Sequence, residues 1–209
     1  NTHVRHKADE WAAEGWLAVA PGLFDRVEPG LVLAYADIPR GMACVGAITE
    51  DMLLADLQAA IDFAAEAAPV SVIGWCWGGA VAYLAASKSS GVHRAVCYYG
   101  FCERMTPQVP TMYHFGALDK SLPPEAIEKI RAHDPAGTFH VYPGVDHAFT
   151  NHERPPFDAA AAALAGRLFH RAMANPDAPM FESIRAGLRA VQSLDEKATA
   201  VRGSMSRIY

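Results

Sequence analysis

Cysteine and basic charge are both scarce in this chain. Only four of its 209 residues are cysteine, and no two of them form a Cys-x-x-Cys pair. This argues against a disulfide scaffold or a structural zinc site, and makes a reducing cytoplasm the simplest expected location. The formal net charge is −5, so we expect no nucleic-acid partner. The apolar share of 51% and the charged share of 20% are instead typical of a globular protein with a buried core.

One uncharged segment, residues 67–87, is long enough to cross a bilayer. Glycine and proline interrupt it, its first part is rich in β-branched residues, and its second part is typical of a helix. We interpret the segment as a buried strand, a glycine turn and a buried helix, and we expect no membrane association.

Short apolar runs alternate with helical patterns along most of the chain. The predicted strands are residues 16–20, 70–75, 95–99, 111–116 and 139–142. The predicted helices begin after Thr49, at Gly78, after Pro124 and at Phe157. This order predicts an α/β fold, with a mainly parallel, doubly wound sheet flanked by helices.

A proline-rich break divides the chain near its end. Residues 175–179 read Asn-Pro-Asp-Ala-Pro, and an apolar stripe at helical spacing follows them. We therefore predict one domain over residues 1–173, a linker over 174–179 and a helical tail over 180–209.

Residues 74–79 read Gly-Trp-Cys-Trp-Gly-Gly and lie between the predicted buried strand and the helix after it. This is the Gly-x-nucleophile-x-Gly pattern of a strand–turn–helix elbow, with cysteine as the nucleophile. We expect glycine to be required at 74 and 78, because a side chain at either position would crowd the strained turn. The positive end of the helix favours a thiolate at Cys76, and the N–H of Trp77 would face an oxyanion formed there.

Plainer interpretations of the same residues stay open. Cys76 could be a small buried apolar residue, as free cysteines often are. A glycine-rich turn after a strand is also typical of phosphate-binding loops, but neither Gly-x-Gly-x-x-Gly nor a following Lys-Ser/Thr pair is present. For the whole protein, the alternatives to an enzyme are a non-catalytic binding protein and a redox-sensing thiol protein.

An acid and a histidine follow the elbow in the chain order of an α/β-hydrolase. Asp119 follows the strand predicted over 111–116, and His147 follows the strand predicted over 139–142. His147 would accept the proton of Cys76, and Asp119 would hold the imidazole in the required tautomer.

Several rival side chains are expected to be structural. Asp146 adjoins His147 but is expected to point away from it, as a turn residue, and Asp134 lies in a helix-to-strand loop. The remaining rivals are expected to pack in the interior or on strands: His93, His114, His140, Cys44, Cys97 and Cys102.

The chain resembles the dienelactone hydrolase family (carboxymethylenebutenolidases) of the α/β-hydrolases. The resemblance covers about residues 1–172, and the matching pieces are residues 16–24, 56–61, 74–79, 98–100, 115–119 and 142–149. It implies a Cys76–His147–Asp119 triad that hydrolyses a small ester or lactone without a cofactor.

The chain departs from the family pattern at its start. The resemblance implies N-terminal strands that we do not expect within this sequence, and with them a glutamate near the nucleophile and the second oxyanion donor. In the family's strand order one of these strands lies between residues 16–20 and 70–75. We expect it to be supplied by a lost N-terminal segment, a second chain or a permuted connection.

The family's substrate-binding arginines have no clear counterparts. Asn151 stands where one of them is expected, so Arg154 and Arg40 are the candidates to bind a substrate carboxylate, although both could equally be ordinary surface residues. Trp75, Trp77 and Tyr99 could line a pocket for a flat or apolar substrate, or could be ordinary packing residues.

Overall fold

The computed structural model describes residues 2–102 and 105–174. The elements are α1 (Thr2–Ala13), α2 (Ile38–Ala47), α3 (Glu50–Ala65), β1 (Val70–Trp75), α4 (Trp77–Lys88), β2 (Val92–Tyr98), β3 (Thr111–Gly116), α5 (Pro124–His133), β4 (Thr138–Tyr142) and α6 (Ala159–Ala174). Helices α1 and α2 have no counterpart among the predicted elements. Helix α1 is mostly polar, and α2 contains a proline and two glycines, so neither carries a clear helical signal.

Strands β1 to β4 form a parallel sheet in the order β1-β2-β3-β4. Strands β2 and β3 lie in the middle and are buried along nearly their whole length. Burial on both faces explains the apolar run over residues 95–98 of β2 and the apolar side chains of Met112, Tyr113 and Phe115 in β3. The predicted α/β class, with a parallel sheet flanked by helices, is confirmed.

Helix α4 packs on β1 and β2, and helix α3 packs on α4. Helix α3 begins after Thr49 as predicted, because the Thr49 hydroxyl accepts a hydrogen bond from the N–H of Met52 at 3.3 Å. Its Leu57 and Ile61 are buried in the core cluster with Val81. Each side chain of this kind contributes about 1.5–3 kcal/mol when fully buried, so this packing secures the start of α4 against the sheet.

The strand predicted over residues 16–20 is wrong. The segment has no ladder partner in the part of the chain that the structure describes, and Trp16 and Leu17 are 46% and 55% exposed. An apolar run forms a strand only beside a backbone that completes its hydrogen bonds. Among the described residues β1 is an edge strand, with β2 on one side and no strand on the other.

A row of stacked rings crosses the sheet, from the carboxyl ends of β1 and β2 to the middle of β3 and β4. Trp75, Tyr98, His114 and His140 are register partners on successive strands. Their neighbouring ring centroids are 5.5, 4.5 and 5.2 Å apart. Trp75 and Tyr98 lie at the edge of the sheet from which Cys76 emerges, so their stacked rings pack beneath the elbow.

The chain divides into two compact units, residues 1–159 and 160–209. The predicted domain limit at 173 stays a prediction, and the predicted linker and tail fall outside the described residues from 175 onward.

The uncharged segment, residues 67–87, forms β1, the turn and most of α4, as predicted. None of the helices in 2–102 and 105–174 has the length and apolar character needed to cross a membrane.

Candidate active site

Cys76 occupies a strained turn between β1 and α4. Its backbone has φ 56° and ψ −121°, a conformation that residues other than glycine rarely adopt and that costs about 1–3 kcal/mol. The turn is held by hydrogen bonds from the Cys76 N–H to the carbonyl of Tyr98, at 2.9 Å, and from the Gly79 N–H to the carbonyl of Cys76, also at 2.9 Å. Cys76 is exposed, so the elbow presents its thiol to solvent at the start of a helix.

The glycines around the elbow do not all matter for the reason expected. A Cβ at Gly74 would lie 1.8 Å from the carbonyl oxygen of Gly78, which is impossible without moving the turn. At Gly78 itself, an added Cβ would meet no atom of the described residues within 4 Å beyond its chain neighbours and the adjoining backbone of its own helix. The expected crowding at 78 is therefore wrong. The second close approach is between Gly79 and Gly100, since a Cβ at Gly100 would lie 2.5 Å from the backbone of Ala80 and of Gly79.

Asp119 and His147 are brought together by the loops that follow β3 and β4. Nδ1 of His147 lies 2.7 Å from Oδ2 of Asp119, and the Asp119 residue is only 3% exposed. The two loops are joined by a hydrogen bond from the Leu118 N–H to the carbonyl of Val145 at 2.9 Å. A Cβ at Gly116 would lie 2.6 Å from that same carbonyl, so glycine at 116 allows the loops to meet.

Each of the three side chains Cys76, His147 and Asp119 has its pKa shifted towards the charged form by a neighbouring member of the group. Desolvation by its neighbours would raise the pKa of the Cys76 thiol, but the hydrogen bond and charge of His147, the N–H of Trp77 and the charge of Arg154 hold that pKa below its usual value. Desolvation would lower the pKa of His147, yet hydrogen bonds and charges from Asp119 and Cys76 raise it to about 9.

The same pattern holds for the acid. Burial would raise the pKa of Asp119, but the hydrogen bonds from His147 and Ser121 keep it below the usual value. The arrangement therefore shifts Cys76 towards the thiolate, His147 towards the imidazolium and Asp119 towards the carboxylate.

Three of the rival residues, Asp146, Asp134 and His114, have structural partners. Asp146 accepts the backbone N–H of His147 at 2.6 Å, as a turn residue does. Asp134 accepts the hydroxyl of Tyr113 at 2.8 Å. The buried His114 has Nδ1 2.7 Å from the hydroxyl of Tyr142, and the remaining cysteines, Cys44, Cys97 and Cys102, are buried.

Two of the predicted substrate-binding residues lie beside the candidate site, with their polar groups already engaged. The Tyr99 ring lies 4.9 Å from the His147 ring, and the Tyr99 hydroxyl lies 2.7 Å from that of Thr150. Asn151 is buried; its Nδ2 donates to the hydroxyl of Tyr35 at 2.7 Å, and its Oδ1 accepts the N–H of Glu153 at 3.0 Å.

The other four predicted substrate-binding residues pack against aromatic rings or form an ion pair. The Arg154 guanidinium lies 5.4 Å above the Tyr35 ring, and its charge contributes to the lowered pKa of Cys76. Arg40 forms an exposed ion pair with Glu28. Trp75 stacks between Trp11 and Tyr98. The Trp77 side chain stacks on Phe24, with ring centroids 5.3 Å apart.

Two polar residues of the site, Tyr35 and Ser121, were not predicted from the sequence. Tyr35 is brought to Asn151 across 116 positions of the chain, and no local pattern signals such a contact. Ser121 bonds Asp119 two positions earlier. That spacing is the ordinary one for an aspartate that closes a turn, so it could have been recognised.

A parallel sheet with a nucleophile elbow after one strand, and an acid and a histidine after two later strands, defines the α/β-hydrolase class. The sequence profile of the dienelactone hydrolase family matches residues 1–175. The carboxymethylenebutenolidase of Pseudomonas putida is 30% identical over 181 residues, which cover 79% of this chain and 76% of the relative. The same values hold for the carboxymethylenebutenolidase of Pseudomonas knackmussii.

Solved structures show the same similarity. A crystal structure from Klebsiella pneumoniae, named for a dienelactone hydrolase, has a TM-score of 0.70 at 25% identity and covers 81% of this chain and 79% of that one. A promiscuous phosphotriesterase similar to dienelactone hydrolases, from metagenomic libraries, shares the fold with a TM-score of 0.67 at 20% identity, over 81% of this chain and 78% of that one. The chain belongs to the dienelactone hydrolase family. It is accordingly a hydrolase of esters or lactones.

Proposed function

We propose that the protein cleaves a small ester or lactone through a Cys76–His147–Asp119 triad and an acyl-thioester intermediate. The observation that carries this proposal is the exposed thiol on the strained elbow, whose pKa is lowered by His147. His147 is in turn hydrogen-bonded to the buried Asp119.

In the first half of the reaction, the Cys76 thiolate attacks the carbonyl carbon. The negative charge that develops on the carbonyl oxygen is stabilised by the N–H of Trp77 at the start of α4. The tetrahedral adduct then collapses, the C–O bond breaks, and the imidazolium of His147 gives its proton to the leaving oxygen. Because Nδ1 faces Asp119, Nε2 is the nitrogen that transfers the proton.

In the second half, His147 takes a proton from water as the water attacks the thioester. Collapse of this adduct expels the Cys76 thiolate and releases the carboxylic acid, which restores the thiolate and imidazolium. In a lactone the leaving oxygen stays tethered to the acyl group, so the first half opens the ring and the second half frees the product.

We propose Arg154 as the residue that attracts an anionic group of the substrate. Its charge already acts on Cys76, whereas Arg40 is paired with Glu28. The amide of Asn151 is occupied by Tyr35 and Glu153, so we assign it a supporting role. The names of the two Pseudomonas relatives make carboxymethylenebutenolide the first lactone to test.

The test is hydrolysis of p-nitrophenyl acetate and of the dienelactone, before and after stoichiometric iodoacetamide, with the alkylated residue mapped. We expect loss of turnover that follows alkylation of Cys76. Cys76→Ser and Cys76→Ala should lose nearly all turnover and keep the unfolding temperature, while Cys44→Ala is a matched control at a buried thiol. Turnover that survives in Cys76→Ala would refute the nucleophile. An inactive wild type whose Cys76 is rapidly oxidised by peroxide would favour a redox-sensing thiol.

We further propose that a strand from outside the described residues pairs with the outer edge of β1. Val70, Val72 and Ile73 are apolar but only half-buried there, and an unpaired edge leaves backbone groups without partners. Hydrogen exchange tests this, because pairing should protect the N–H groups of β1. Protection that appears only in a dimer assigns the strand to a second copy, protection in a monomer assigns it to the same polypeptide, and rapid exchange refutes the proposal.

We also propose a reducing compartment such as the cytoplasm, since a thiol nucleophile works only while it is reduced. All four cysteines are free. Oxidised glutathione should abolish turnover and dithiothreitol should restore it.

A further inference from the structure

Ser121 makes two hydrogen bonds to one oxygen of the candidate catalytic acid. Its hydroxyl donates to Oδ1 of Asp119 at 2.5 Å, and its backbone N–H donates to the same Oδ1 at 2.9 Å. The other oxygen, Oδ2, lies 2.7 Å from Nδ1 of His147. The Ser121 hydroxyl therefore sits beside the Asp119–His147 contact, 3.4 Å from Nδ1.

This arrangement decides which way the carboxylate faces. An aspartate carboxylate rotates over a broad range of angles about its last bond, and either oxygen could face the histidine. Two donors on Oδ1 restrict that rotation and leave Oδ2 directed at Nδ1. The bonds to Ser121 also help Asp119 to remain ionised although it is buried.

We propose that Ser121 is a positioning residue: it holds Asp119 in the rotamer that bonds His147, and so sets how readily Cys76 becomes a thiolate. Ser121 acts through Asp119 and needs no contact with the substrate. The kinetic part of the proposal rests on the proposed ester or lactone hydrolysis, whereas the thiolate part does not.

The direction of the effect follows from two opposing changes on removal of the hydroxyl. A carboxylate with one hydrogen-bond donor fewer is more basic, and this by itself strengthens its hydrogen bond to the His147 imidazolium. However, a hydrogen bond weakens steeply as its angle departs from linearity, and a freer carboxylate loses alignment with Nδ1. We expect misalignment to dominate, so that His147 releases its proton more readily and the Cys76 thiolate forms at higher pH.

The experiment compares Ser121→Ala, Ser121→Thr and the wild type. Alanine keeps the backbone N–H and removes only the hydroxyl, and threonine keeps both. Ser87→Ala is the matched control, because the Ser87 hydroxyl donates a 2.8 Å bond to the carbonyl of Tyr83, within α4 and away from the acid. The readouts are the pH profile of Cys76 alkylation by iodoacetamide, and kcat and KM for p-nitrophenyl acetate.

In Ser121→Ala we expect the alkylation midpoint to rise by about one pH unit and kcat at neutral pH to fall about tenfold, with KM unchanged, as for loss of one hydrogen bond to a charged group. Ser121→Thr should restore both values, and Ser87→Ala should change neither. An unchanged or lowered midpoint in Ser121→Ala overturns the proposal, as does an equal loss of kcat in Ser87→Ala. A raised midpoint in a protein without ester turnover would support the role of Ser121 and refute the proposed hydrolysis.

Discussion

Adding one methyl group at Gly74 should destroy the site, while adding one at Gly78 should not. The Cβ of Gly74→Ala would lie 1.8 Å from the carbonyl oxygen of Gly78 and 2.8 Å from the N–H nitrogen of Gly79, whereas real Cβ contacts stay beyond 3.0 Å. The atoms in the way belong to the backbone at the start of α4, so no side chain can rotate to make room.

The magnitude follows from that distance. The turn would have to open by at least 1.2 Å, the difference between 1.8 and 3.0 Å. A displacement of about 1 Å at a reacting group costs about 10²-fold in rate, and overpacking of this kind costs about 1–3 kcal/mol of stability. At Gly78 the added methyl meets nothing within 4 Å among the described residues beyond its chain neighbours and its own helix backbone. Alanine is favoured over glycine in a helix by up to about 1 kcal/mol, so Gly78→Ala should be as stable as the wild type or slightly more stable.

The assay is turnover of p-nitrophenyl acetate together with urea unfolding for both variants. Gly74→Ala should lose at least about 10²-fold in kcat and unfold at a lower urea concentration. Gly78→Ala should keep the wild-type kcat and the wild-type resistance to urea. Wild-type behaviour of Gly74→Ala would refute the packing argument, and equal damage in the two variants would refute the distinction between the two glycines.

Two further predictions test the electrostatics. Asp119→Asn keeps the size of the side chain but removes the charge that helps to raise the pKa of His147 to about 9. The kcat for p-nitrophenyl acetate should therefore fall about 10²-fold or more, with little change in unfolding temperature. A wild-type kcat would exclude Asp119 as the acid. Burial lowers the pKa of His3 to about 4 in the folded protein, whereas the pKa in the unfolded chain is near 6.5. The stability that comes from a neutral His3 is therefore complete above pH 6.5, and it is lost as the pH falls from 6.5 towards 4. Urea unfolding at pH 7.5 and at pH 5 should therefore show a loss of about 2 kcal/mol from His3 that is absent in His3→Phe, and equal pH dependence in the two proteins would contradict the assignment.

The candidate site was predictable where each residue is placed by its own neighbours in the chain. Cys76 stands between a β-branched run and a helix, and Asp119 and His147 each follow a short apolar strand. In a parallel sheet the carboxyl ends of the strands meet at one edge. The order of the elements therefore already implied that these three side chains would lie together.

Other features depended on segments that are far apart in the sequence. Whether residues 16–20 form a strand depends on a neighbouring backbone, and the described sheet places none beside them. The sequence motif contains both Gly74 and Gly78 and does not distinguish them, yet of these two only Gly74 lies against a backbone carbonyl oxygen, that of Gly78. Asn151 stands four positions after His147, but its amide is occupied by Tyr35.

By itself the sequence determined the order of the elements from α3 to α6, the elbow at Cys76 and the candidates for its acid and base. These follow from apolar periodicity, glycine placement and hydrogen-bonding side chains, which act over a few residues. Only the tertiary structure decided which glycine has no room for a methyl group and which oxygen of Asp119 faces His147. Both depend on distances of a few ångströms between atoms on different loops, and such distances are set by packing.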